Sequence, residues 1–523
     1  MSTDPSLHFD CIVIGSGNAG SCAALSAKDE GCTRVLIVDK CPAEWVGGNG
    51  YFTAGAHRTV HDGLHDLLPI VSNVSPTSDL AQKIDMDPYS AEEFTEDIMR
   101  LSKGRSDQSL VKALVNGSRE AIQWLHDRVK MPFVFSFHRQ AYLVEGRQKF
   151  WGGMVLATED GGKGVIAAHQ KTLKEAGVEV WFETPAVELL ADSQGAITGV
   201  VVRRNGELVR LHAPAVVLAS GGYEASRDLR AQHLGEEWSR AKVRGTPFNT
   251  GDGIALARAV HARTTGDFEG CHSTCWDYDA PSDQGDRNLS NQYTKSGYTL
   301  GLMLNANGHR FVDEGEDFRN YTYAKFGKEI LKQPGGYAWQ VWDATAAPWL
   351  RKEEYGDGIV KKVTAATLDD LADLLSEDGL HDKGQFIATV RLYNDAVKAF
   401  ALANPSVKWD PSVRDGLSTD PSLPIPKSNW ALPITTPPFL AVKVTCGITF
   451  TFGGLAIDPS TAGVLSEVTG KPIRGLFCTG ELVGGLFYGN YPGGSGLTTG
   501  AVFGRKAGKE AAKIVVEGKN ERT

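Results

Sequence analysis

Two glycine-rich segments, one near each end of the chain, constrain the fold more than any other feature. The first is GSGNAG at 15–20, and it follows an apolar run at 9–14 that is typical of a buried parallel strand. The second lies at 480–496 and contains GELVGG and NYPGGSG. A strand, a glycine turn and a helix N-terminus present backbone N–H groups to a pyrophosphate. Together the segments indicate one long dinucleotide held by both ends of the chain, which fits FAD better than NAD.

The residues after the first segment complete the pattern of a dinucleotide-binding unit. Residues 34–39 (RVLIVD) predict a second strand that ends in Asp39, which follows Gly15 by 24 positions. An acidic residue about 20 positions on binds a ribose hydroxyl, and its charge argues against a 2′-phosphate. A glycine turn without a ligand is the alternative, and the strands, helix and acid argue against it. The predicted cofactor contacts of this stretch are Gly15, Gly17, Asn18, Ala19, Gly20, Asp39 and Lys40.

Composition excludes several classes of protein. The chain has 523 residues, which suggests two domains, and its net charge of −9 without a long basic run argues against a nucleic-acid partner. No apolar stretch of about 18 residues occurs, so we expect no membrane span and a soluble, cytoplasmic protein. The eight cysteines are scattered, and the CHSTC fragment at 271–275 lacks a second ligand pair. We therefore expect neither a disulfide framework nor a metal site.

The middle of the chain differs from the two ends in composition and in hydrophobic periodicity. Periodicity predicts helices at 91–103 and 108–129, whereas aromatic, proline and glycine residues mix with polar ones from about 265 to 435. That stretch holds a strand–Asn-Gly turn–strand pattern at 302–314 and helices at 368–375 and 384–402. We predict an α/β protein with a discontinuous cofactor domain (1–265 and 436–523) and an inserted capping or substrate domain (266–435).

Several longer motifs carry a family resemblance that spans most of the chain. They are GSGNAG at 15–20, EWVGGN at 44–49, ASGG at 219–222, NTGDG at 249–253, GCHSTCWD at 270–277, GHRFVDEGEDFRNYTYAKFG at 308–327, CGITFTFGGLAID at 446–458 and GELVGGLFYGNYPGGSGLTTGAVFGR at 480–505. The chain resembles the superfamily of FAD-dependent fumarate reductases, succinate dehydrogenases and 3-ketosteroid dehydrogenases, most closely the tricarballylate dehydrogenases. The resemblance implies a Rossmann-like FAD domain with a cap. It also implies hydride transfer between a substrate carbon and flavin N5, with a proton moving at the adjacent carbon.

The resemblance implies further cofactor contacts. Gly47, Gly48 and Asn49 lie beside the flavin, and residues 47–55 contain no histidine, so we expect non-covalent FAD. Glu481 contacts the ribityl or ribose chain, unless it only caps a helix. Ser495, Gly496 and Leu497 approach the isoalloxazine at a helix N-terminus. The other predicted contacts are Gly162, Lys163, Gly164, Ala186, Val187, Ser220, Gly221, Gly222, Thr250, Asp252, Gly480, Gly493 and Gly494.

The resemblance also suggests groups that bind substrate or move protons. His272 matches a histidine that hydrogen-bonds a substrate carboxylate or carbonyl, although a lone histidine is often structural. Glu314 and Arg319 fall where fumarate reductases keep a proton relay, but Glu314 could instead form an ordinary ion pair with Arg310. Arg351 is the nearest candidate for the proton-transferring arginine, in a shifted register.

The main departure from the fumarate reductases is Tyr491, which stands where they carry a carboxylate-binding arginine. Their histidine before the Thr-x-Gly-Gly element is also absent from 449–454. A tyrosine, with a pKa of about 10, cannot neutralise a carboxylate, but it can hydrogen-bond a carbonyl oxygen or act as an acid or base. Ketosteroid dehydrogenases use a tyrosine in a Tyr-Pro-Gly context in this way, and Tyr298 falls roughly where they keep a base. Both tyrosines could instead be packing residues.

These observations leave four functions open. The first is desaturation of a small polycarboxylate such as tricarballylate, with Arg319 or Arg58 as the carboxylate partner. The second is the same chemistry on a hydrophobic ketone, which predicts an apolar pocket around Phe450, Phe452, Phe487 and Tyr491. The third is fumarate-reductase-like reduction of an enoate, and the fourth is a non-catalytic flavin electron carrier. The chain shows no haem or iron–sulfur motif, so the electron acceptor is unknown.

Overall fold

The structure is a computed structural model that describes residues 7–419, 421 and 423–520. The chain forms two compact units. The first comprises residues 1–234, 245–272 and 450–523, and the second comprises 235–244 and 273–449. Two long strands pass from one unit into the other.

Strands and helices follow one another along the whole chain. The strands are β1 (Cys11–Ile14), β2 (Val35–Val38), β3 (Ala56–His57), β4 (Ile84–Met86), β5 (Phe133–Phe135), β6 (Ala141–Val144), β7 (Arg147–Phe150), β8 (Leu156–Thr158), β9 (Glu179–Trp181), β10 (Ala186–Ala191), β11 (Ile197–Arg204), β12 (Glu207–His212), β13 (Ala215–Leu218), β14 (Lys242–Val243), β15 (Thr264–Asp277), β16 (Leu302–Asn305), β17 (Ala338–Trp342), β18 (Val363–Ala365), β19 (Phe439–Leu455), β20 (Gly463–Leu465) and β21 (Pro472–Cys478). The helices are α1 (Asn18–Asp29), α2 (Leu64–Leu67), α3 (Ala91–Leu101), α4 (Gln108–Val129), α5 (Phe137–Gln140), α6 (Gly161–Glu175), α7 (Arg227–Leu234), α8 (Asp252–Ala259), α9 (Arg319–Leu331), α10 (Lys352–Tyr355), α11 (Leu368–Ser376), α12 (Lys383–Ala403) and α13 (Ser495–Asn520).

The first unit is built on a six-stranded sheet in the order β20-β21-β13-β1-β2-β9. The strands β21, β13, β1, β2 and β9 are parallel, and β20 pairs antiparallel with β21. Every residue of β1 and β2 is buried, as their unbroken apolar sequences predict for central parallel strands. The carboxyl ends of β1, β2 and β13 lead into the predicted cofactor-binding turns, so one edge of this sheet collects them.

Helices α1 and α13 pack closely against each other because glycine removes the side chains between them. A Cβ atom added at Gly504 would lie 2.7 Å from the carbonyl oxygen of Ala19, and one at Gly508 would lie 2.3 Å from that of Ala23. Such contacts allow only glycine on this face of α13. The packing brings the start of α13 to the start of α1, and the side-chain amide of Asn18 donates to the carbonyl oxygen of Leu497 at 3.0 Å.

The second unit has a sheet in the order β14-β19-β17-β16, with β18 also paired to β19. The strands β16, β17 and β19 are antiparallel neighbours. Leu302 and Leu304 of β16 and Trp339 and Val341 of β17 point into one core with α11 and α12. Met303 of β16 and Ala338 and Trp342 of β17 join a second core on the opposite face. Alternation along each strand therefore buries both faces of this sheet.

The structure differs from the sequence predictions in boundaries and in two strands. Helices α3, α4, α11 and α12 lie within a few residues of their predicted ranges. The second unit ends at 449 rather than 435, because residues 440–444 of β19 pair with β17. The stretch at 302–314 forms one strand and a single bridge between Leu304 and Arg310, not a two-stranded hairpin. The 14-residue β15 and the 17-residue β19 were not anticipated.

Candidate active site

The turn between β1 and α1 is shaped to receive an anion. Gly15 has φ +113°, and a Cβ atom there would lie 2.3 Å from the carbonyl oxygen of Ala219, while one at Gly20 would lie 2.0 Å from that of Gly15. Gly17 caps α1 without any side-chain hydrogen bond, and the first turn contains no acidic residue. The first N–H groups of α1 are therefore left to a ligand, and the helix dipole favours a negative one.

The C-terminal glycine segment lies beside this turn, as the sequence predicts. Gly480 has φ +74°, and a Cβ atom there would lie 2.7 Å from the side chain of Ala19. Ser495 begins α13, and the adjacent Gly496 has open space around it. With the bond from Asn18 to Leu497, these contacts join the two predicted halves of the cofactor site within one unit.

Asp39 and Lys40 lie at the end of β2, where the ribose-binding acid is predicted. One oxygen of Asp39 accepts hydrogen bonds from the backbone and hydroxyl of Ser16, and the other accepts one from the backbone of Cys41. A carboxylate has about four acceptor positions, so Asp39 retains capacity for a ribose hydroxyl. Lys40 hydrogen-bonds Thr250 and forms an ion pair with Asp252. The structure thus brings together three predicted contacts that are distant in sequence.

The EWVGGN motif forms a tight turn at Gly47 and Gly48, which have φ +106° and +53°. Gly162 of α6 packs under the turn, because a Cβ atom there would lie 2.3 Å from the carbonyl oxygen of Gly50. Gly164 instead packs against the carbonyl oxygen of Glu159. Gly162 therefore supports the turn through packing, and Lys163 follows it on α6.

Ala186 and Val187 belong to a different sheet from the other cofactor candidates. They begin β10, which pairs with β11 in a three-stranded antiparallel sheet, and Val187 is exposed. The preceding Thr184 donates its backbone N–H to the carbonyl oxygen of Asp39 at 2.8 Å. The start of β10 is therefore anchored next to Asp39, where the two residues remain predicted contacts.

Buried hydroxyl groups test whether FAD fits this site. Among the described residues, the hydroxyl oxygens of Ser220, Ser495 and Thr499 are enclosed and meet no hydrogen-bond partner. Buried polar atoms are almost always satisfied, so orphaned hydroxyls next to the glycine turns call for a polar ligand. Ser220 and Ser495 are themselves predicted cofactor contacts. Together with the open N-terminus of α1, the residues fit FAD.

Two glutamates meet at the turn after β13, and we call Glu224 and Glu481 the carboxyl pair. Gly222 lies against both, since a Cβ atom there would lie 2.2 Å from Oε1 of Glu481 and 2.9 Å from Oε2 of Glu224. Burial raises the pKa of Glu224; burial and then the neighbouring Glu224 charge raise the pKa of Glu481 well above its usual value. The sequence analysis predicted a role for Glu481 but not for Glu224. The sequence around Glu224 does not show that its side chain is fully buried.

Four aromatic side chains of the first unit pack around the ring of Tyr491. The aromatic cluster consists of His272, Phe450, Phe452, Phe487 and Tyr491, with ring centroids 4.9 to 6.4 Å apart. Tyr491 lies 4.9 Å from both His272 and Phe450, in edge-to-face arrangements. The cluster contains the residues predicted for an apolar ketone pocket. Its polar groups are the hydroxyl of Tyr491 and the imidazole of His272.

Arg58, one of the two proposed carboxylate partners, is engaged inside the first unit. Its side chain is fully buried, its Nε donates to the carbonyl oxygen of Gly493 at 2.9 Å, and Nη1 contacts Tyr89 and Asp97. The backbone N–H of Arg58 also bonds the carbonyl oxygen of Gly494 at 3.2 Å. Arg58 therefore fixes the glycine pair that precedes α13 and is balanced by Asp97.

The remaining catalytic candidates belong to the second unit. Tyr298 is fully buried, and its hydroxyl lies 3.0 Å from that of Thr322 and 3.4 Å from the carbonyl oxygen of Arg319. Burial raises the pKa of Tyr298 well above its usual value. Arg319 is the first residue of α9, so its backbone lies close to the Tyr298 hydroxyl.

Glu314 and Arg351 take part in buried ion pairs of the second unit. Glu314 accepts hydrogen bonds from the backbone of Met303 and from Arg310, as the ordinary ion-pair alternative predicts. Arg351 precedes α10 and contacts the fully buried Glu354 at 3.2 Å. Both contacts are sufficient to explain these residues structurally.

Neither a metal cluster nor a membrane-spanning helix occurs in the described residues. Within that part of the chain, no group of three histidine, cysteine or acidic side chains is arranged to hold a metal ion. No helix in the same residues has the length and apolar character needed to cross a bilayer.

Comparison with known proteins identifies the family of the chain. Residues 10–62 and 77–497 match the family described as FAD binding domain. A probable fumarate reductase of Shewanella frigidimarina is 28% identical over 527 residues, which cover 99% of this chain and 77% of the relative. The digoxin reductase of Eggerthella lenta is 25% identical, with coverage of 97% and 87%.

Solved structures show the same fold. The open conformation of a flavocytochrome c3 fumarate reductase superposes with a TM-score of 0.72 at 26% identity, covering 98% of this chain and 79% of that one. The 3-ketosteroid delta1-dehydrogenase of Sterolibacterium denitrificans has a TM-score of 0.71 at 21% identity, with coverage of 97% and 100%. The chain therefore belongs to the FAD binding domain family and is an FAD-dependent oxidoreductase of CH–CH groups.

Proposed function

We propose that this enzyme interconverts a C–C single bond and a C=C bond next to the carbonyl group of a hydrophobic, ring-containing ketone. The observation that carries the proposal is the aromatic cluster, in which Tyr491 replaces the arginine that fumarate reductases use to bind a carboxylate. Rings packed around a single hydroxyl suit a substrate with an apolar body and one carbonyl oxygen. The relative that is a digoxin reductase supports a bulky substrate class.

Charge supports a ketone over a polycarboxylate. A carboxylate loses several kcal/mol of hydration when it is buried unless a cation or several donors replace the water. One of the two arginines considered for that role, Arg58, already binds Asp97 and the carbonyl oxygen of Gly493. A neutral carbonyl oxygen requires only a hydrogen-bond donor, which Tyr491 or His272 supplies.

The glycine turns at Gly15 and Gly480 would hold FAD, which we expect to be non-covalent and which would supply the hydride acceptor or donor. Tyr491 donates its hydroxyl hydrogen to the substrate carbonyl oxygen and stabilises the negative charge that grows there as the adjacent C–H bond breaks. His272 packs against the Tyr491 ring and holds it in place. Tyr298 and Arg319 remain our candidates for moving the proton, whereas Glu314 and Arg351 stabilise the second unit. The electron acceptor is open.

Anaerobic absorbance spectroscopy of the yellow holoenzyme tests the proposal. A 3-ketosteroid or a substituted cyclohexanone is expected to bleach the flavin band near 450 nm, and tricarballylate is expected to leave it unchanged. For the reverse direction, the matching enone is expected to reoxidise dithionite-reduced enzyme. Bleaching by tricarballylate alone would overturn the ketone proposal in favour of the polycarboxylate dehydrogenase. If dithionite reduces the flavin but no organic compound exchanges electrons with it, the carrier alternative gains.

A further inference from the structure

The carboxyl pair at the Gly222 turn has too few hydrogen-bond donors nearby for both glutamates to be ionised. Oε1 of Glu224 accepts from the side-chain amides of Asn49 and Asn249. Oε1 of Glu481 accepts from the backbone N–H of Thr451 at 2.8 Å and from its hydroxyl at 3.3 Å. The Glu481 carboxyl also accepts from the backbone N–H of Gly222, whereas Oε2 of Glu224 has no donor in the described part of the chain.

Oε1 of Glu481 and Oε2 of Glu224 both lie against Gly222, at 2.2 Å and 2.9 Å from the position of an added Cβ atom. Oε2 of Glu224 is enclosed, and no N–H or hydroxyl group of the described residues donates to it. The side chains of Glu224 and Glu481 are in hydrogen-bond contact, and Glu224 is fully buried. Two buried carboxylates in contact repel strongly, whereas one proton between them satisfies both oxygens and leaves one negative charge.

We propose that the folded protein keeps one proton on the carboxyl pair, with Glu481 as the neutral acid that donates it to the Glu224 carboxylate. Two observations assign the proton to Glu481. The two amide donors at Glu224 stabilise an ionised acceptor, and burial with the adjacent Glu224 charge raises the pKa of Glu481 well above its usual value. FAD is then bound beside a carboxylic acid rather than a carboxylate at this position.

The surroundings contain few groups that could titrate instead. Asn49, Asn249 and Thr451, from three separate segments, are neutral. The charged neighbour is Arg230 of α7, which donates to the backbone carbonyl oxygen of Glu224 at 2.5 Å. The titratable neighbour is Tyr223, whose pKa is raised by burial and by nearby acids, so it stays neutral.

Loss of the shared proton is expected to weaken FAD binding. The pair ties the Gly222 turn to Asn49 and Thr451, and a second negative charge would push these segments apart. If only the protonated pair binds FAD, its dissociation constant increases about tenfold for each pH unit above the pKa of Glu481. At lower pH the affinity is constant.

The test is the fluorescence of FAD released from diluted holoenzyme between pH 6 and 9. We expect FAD affinity in the unmodified protein to fall toward the alkaline end. Glu481→Gln introduces an isosteric neutral amide that can donate to Glu224, so FAD release from this variant should no longer depend on pH. Glu120→Gln, which removes an ionised carboxylate paired with Arg505 in the same unit, is the matched control and should behave as the unmodified protein.

A second readout does not depend on affinity. The infrared spectrum of the holoenzyme at pH 7 should contain a protonated-carboxyl C=O band that Glu481→Gln removes and Glu120→Gln retains. A spectrum without this difference, or an identical pH dependence of FAD release in all three proteins, would overturn the proposal. Neither measurement uses a substrate, so the outcome is separate from that of the proposed ketone chemistry.

Discussion

At the scale of single residues, the Tyr491 hydroxyl is the group on which the proposed chemistry depends. Tyr491→Phe removes that oxygen and leaves the ring in the aromatic cluster, so FAD content should be unchanged. We expect turnover of a ketone substrate to fall about 10²–10⁴-fold, the usual effect of losing a proton donor or oxyanion partner. Steady-state rates and the flavin absorbance of the purified variant measure both quantities.

Tyr488→Phe is the matched control for this variant. Tyr488 is three positions away and lies against the guanidinium of Arg105, outside the aromatic cluster. Its loss of a hydroxyl should leave turnover within a factor of about two of the original rate, since surface changes are usually nearly neutral. Equal rates in the two variants would remove Tyr491 from the mechanism.

Arg58 is expected to act through stability rather than through substrate binding. Arg58→Leu leaves Asp97 without its buried partner and should lower the free energy of unfolding by about 3–5 kcal/mol. Arg100→Leu removes a half-exposed arginine that pairs with the same Asp97 at 3.3 Å and should cost less than about 1 kcal/mol. Urea unfolding of both variants measures the difference. A normally stable Arg58→Leu protein that no longer binds substrate would make Arg58 a carboxylate partner instead.

Residue chemistry was partly predictable from the sequence. Gly15, Asp39 and Glu481 were predicted as cofactor contacts because turns, ribose contacts and glycine-rich motifs have characteristic spacings, and they remain predictions. Glu224 was not found, because its importance comes from burial beside Glu481, 257 positions later in the chain. The ion pair between Arg58 and Asp97 could not be predicted either, since a sequence does not show which arginine is already paired.

At the scale of elements, the turn between β1 and α1 depends on the absence of a side chain. Gly15→Ala places a Cβ atom 2.3 Å from a carbonyl oxygen in a backbone conformation that L-residues avoid. We expect the variant to lose FAD and to unfold at a markedly lower temperature. Absorbance of the purified protein and a thermal melt measure the two effects.

Gly31→Ala is the appropriate comparison, because it has φ +106° but nothing within 4 Å of the added Cβ atom. Backbone strain alone should cost about 1–3 kcal/mol there and leave FAD bound. If both variants lose FAD to the same extent, strain rather than the close approach to Ala219 accounts for the effect.

Helices were easier to predict than strands. The periodicity of α4 and α12 is a local property, and both helices lie where it places them. The strands β15 and β19 contain glycine and polar residues, and they become strands through pairing with distant segments. Tertiary context therefore outweighed local preference.

At the scale of the whole molecule, two buried histidines link stability to pH. Burial lowers the pKa of His57 to about 4 and that of His169 to about 3, from an ordinary value of 6.5. The unfolded chain binds more protons than the folded one below pH 6.5, so stability is full above that pH and falls as pH drops toward 4. The expected slope is up to about 1.4 kcal/mol per pH unit for each histidine.

Denaturant unfolding at several pH values measures this slope. His169→Gln should remove the contribution of one histidine, and the amide can still donate to Asn18, which His169 contacts at 3.0 Å. His65→Gln changes an exposed histidine and should leave the slope unchanged. Acid sensitivity that is the same in all three proteins would assign it to other groups.

The hydrogen bond between the side chain of Asn18 and the backbone of Leu497 joins residues that are 479 positions apart in the chain. Translation delivers the start of α1 long before the start of α13, and the sheet edge between them also needs β21 from the last tenth of the chain. A polypeptide still attached to the ribosome thus lacks the C-terminal part of its nucleotide-binding site. Flavin loading becomes a step after synthesis, and a protein shortened before α13 would be made without ever turning yellow.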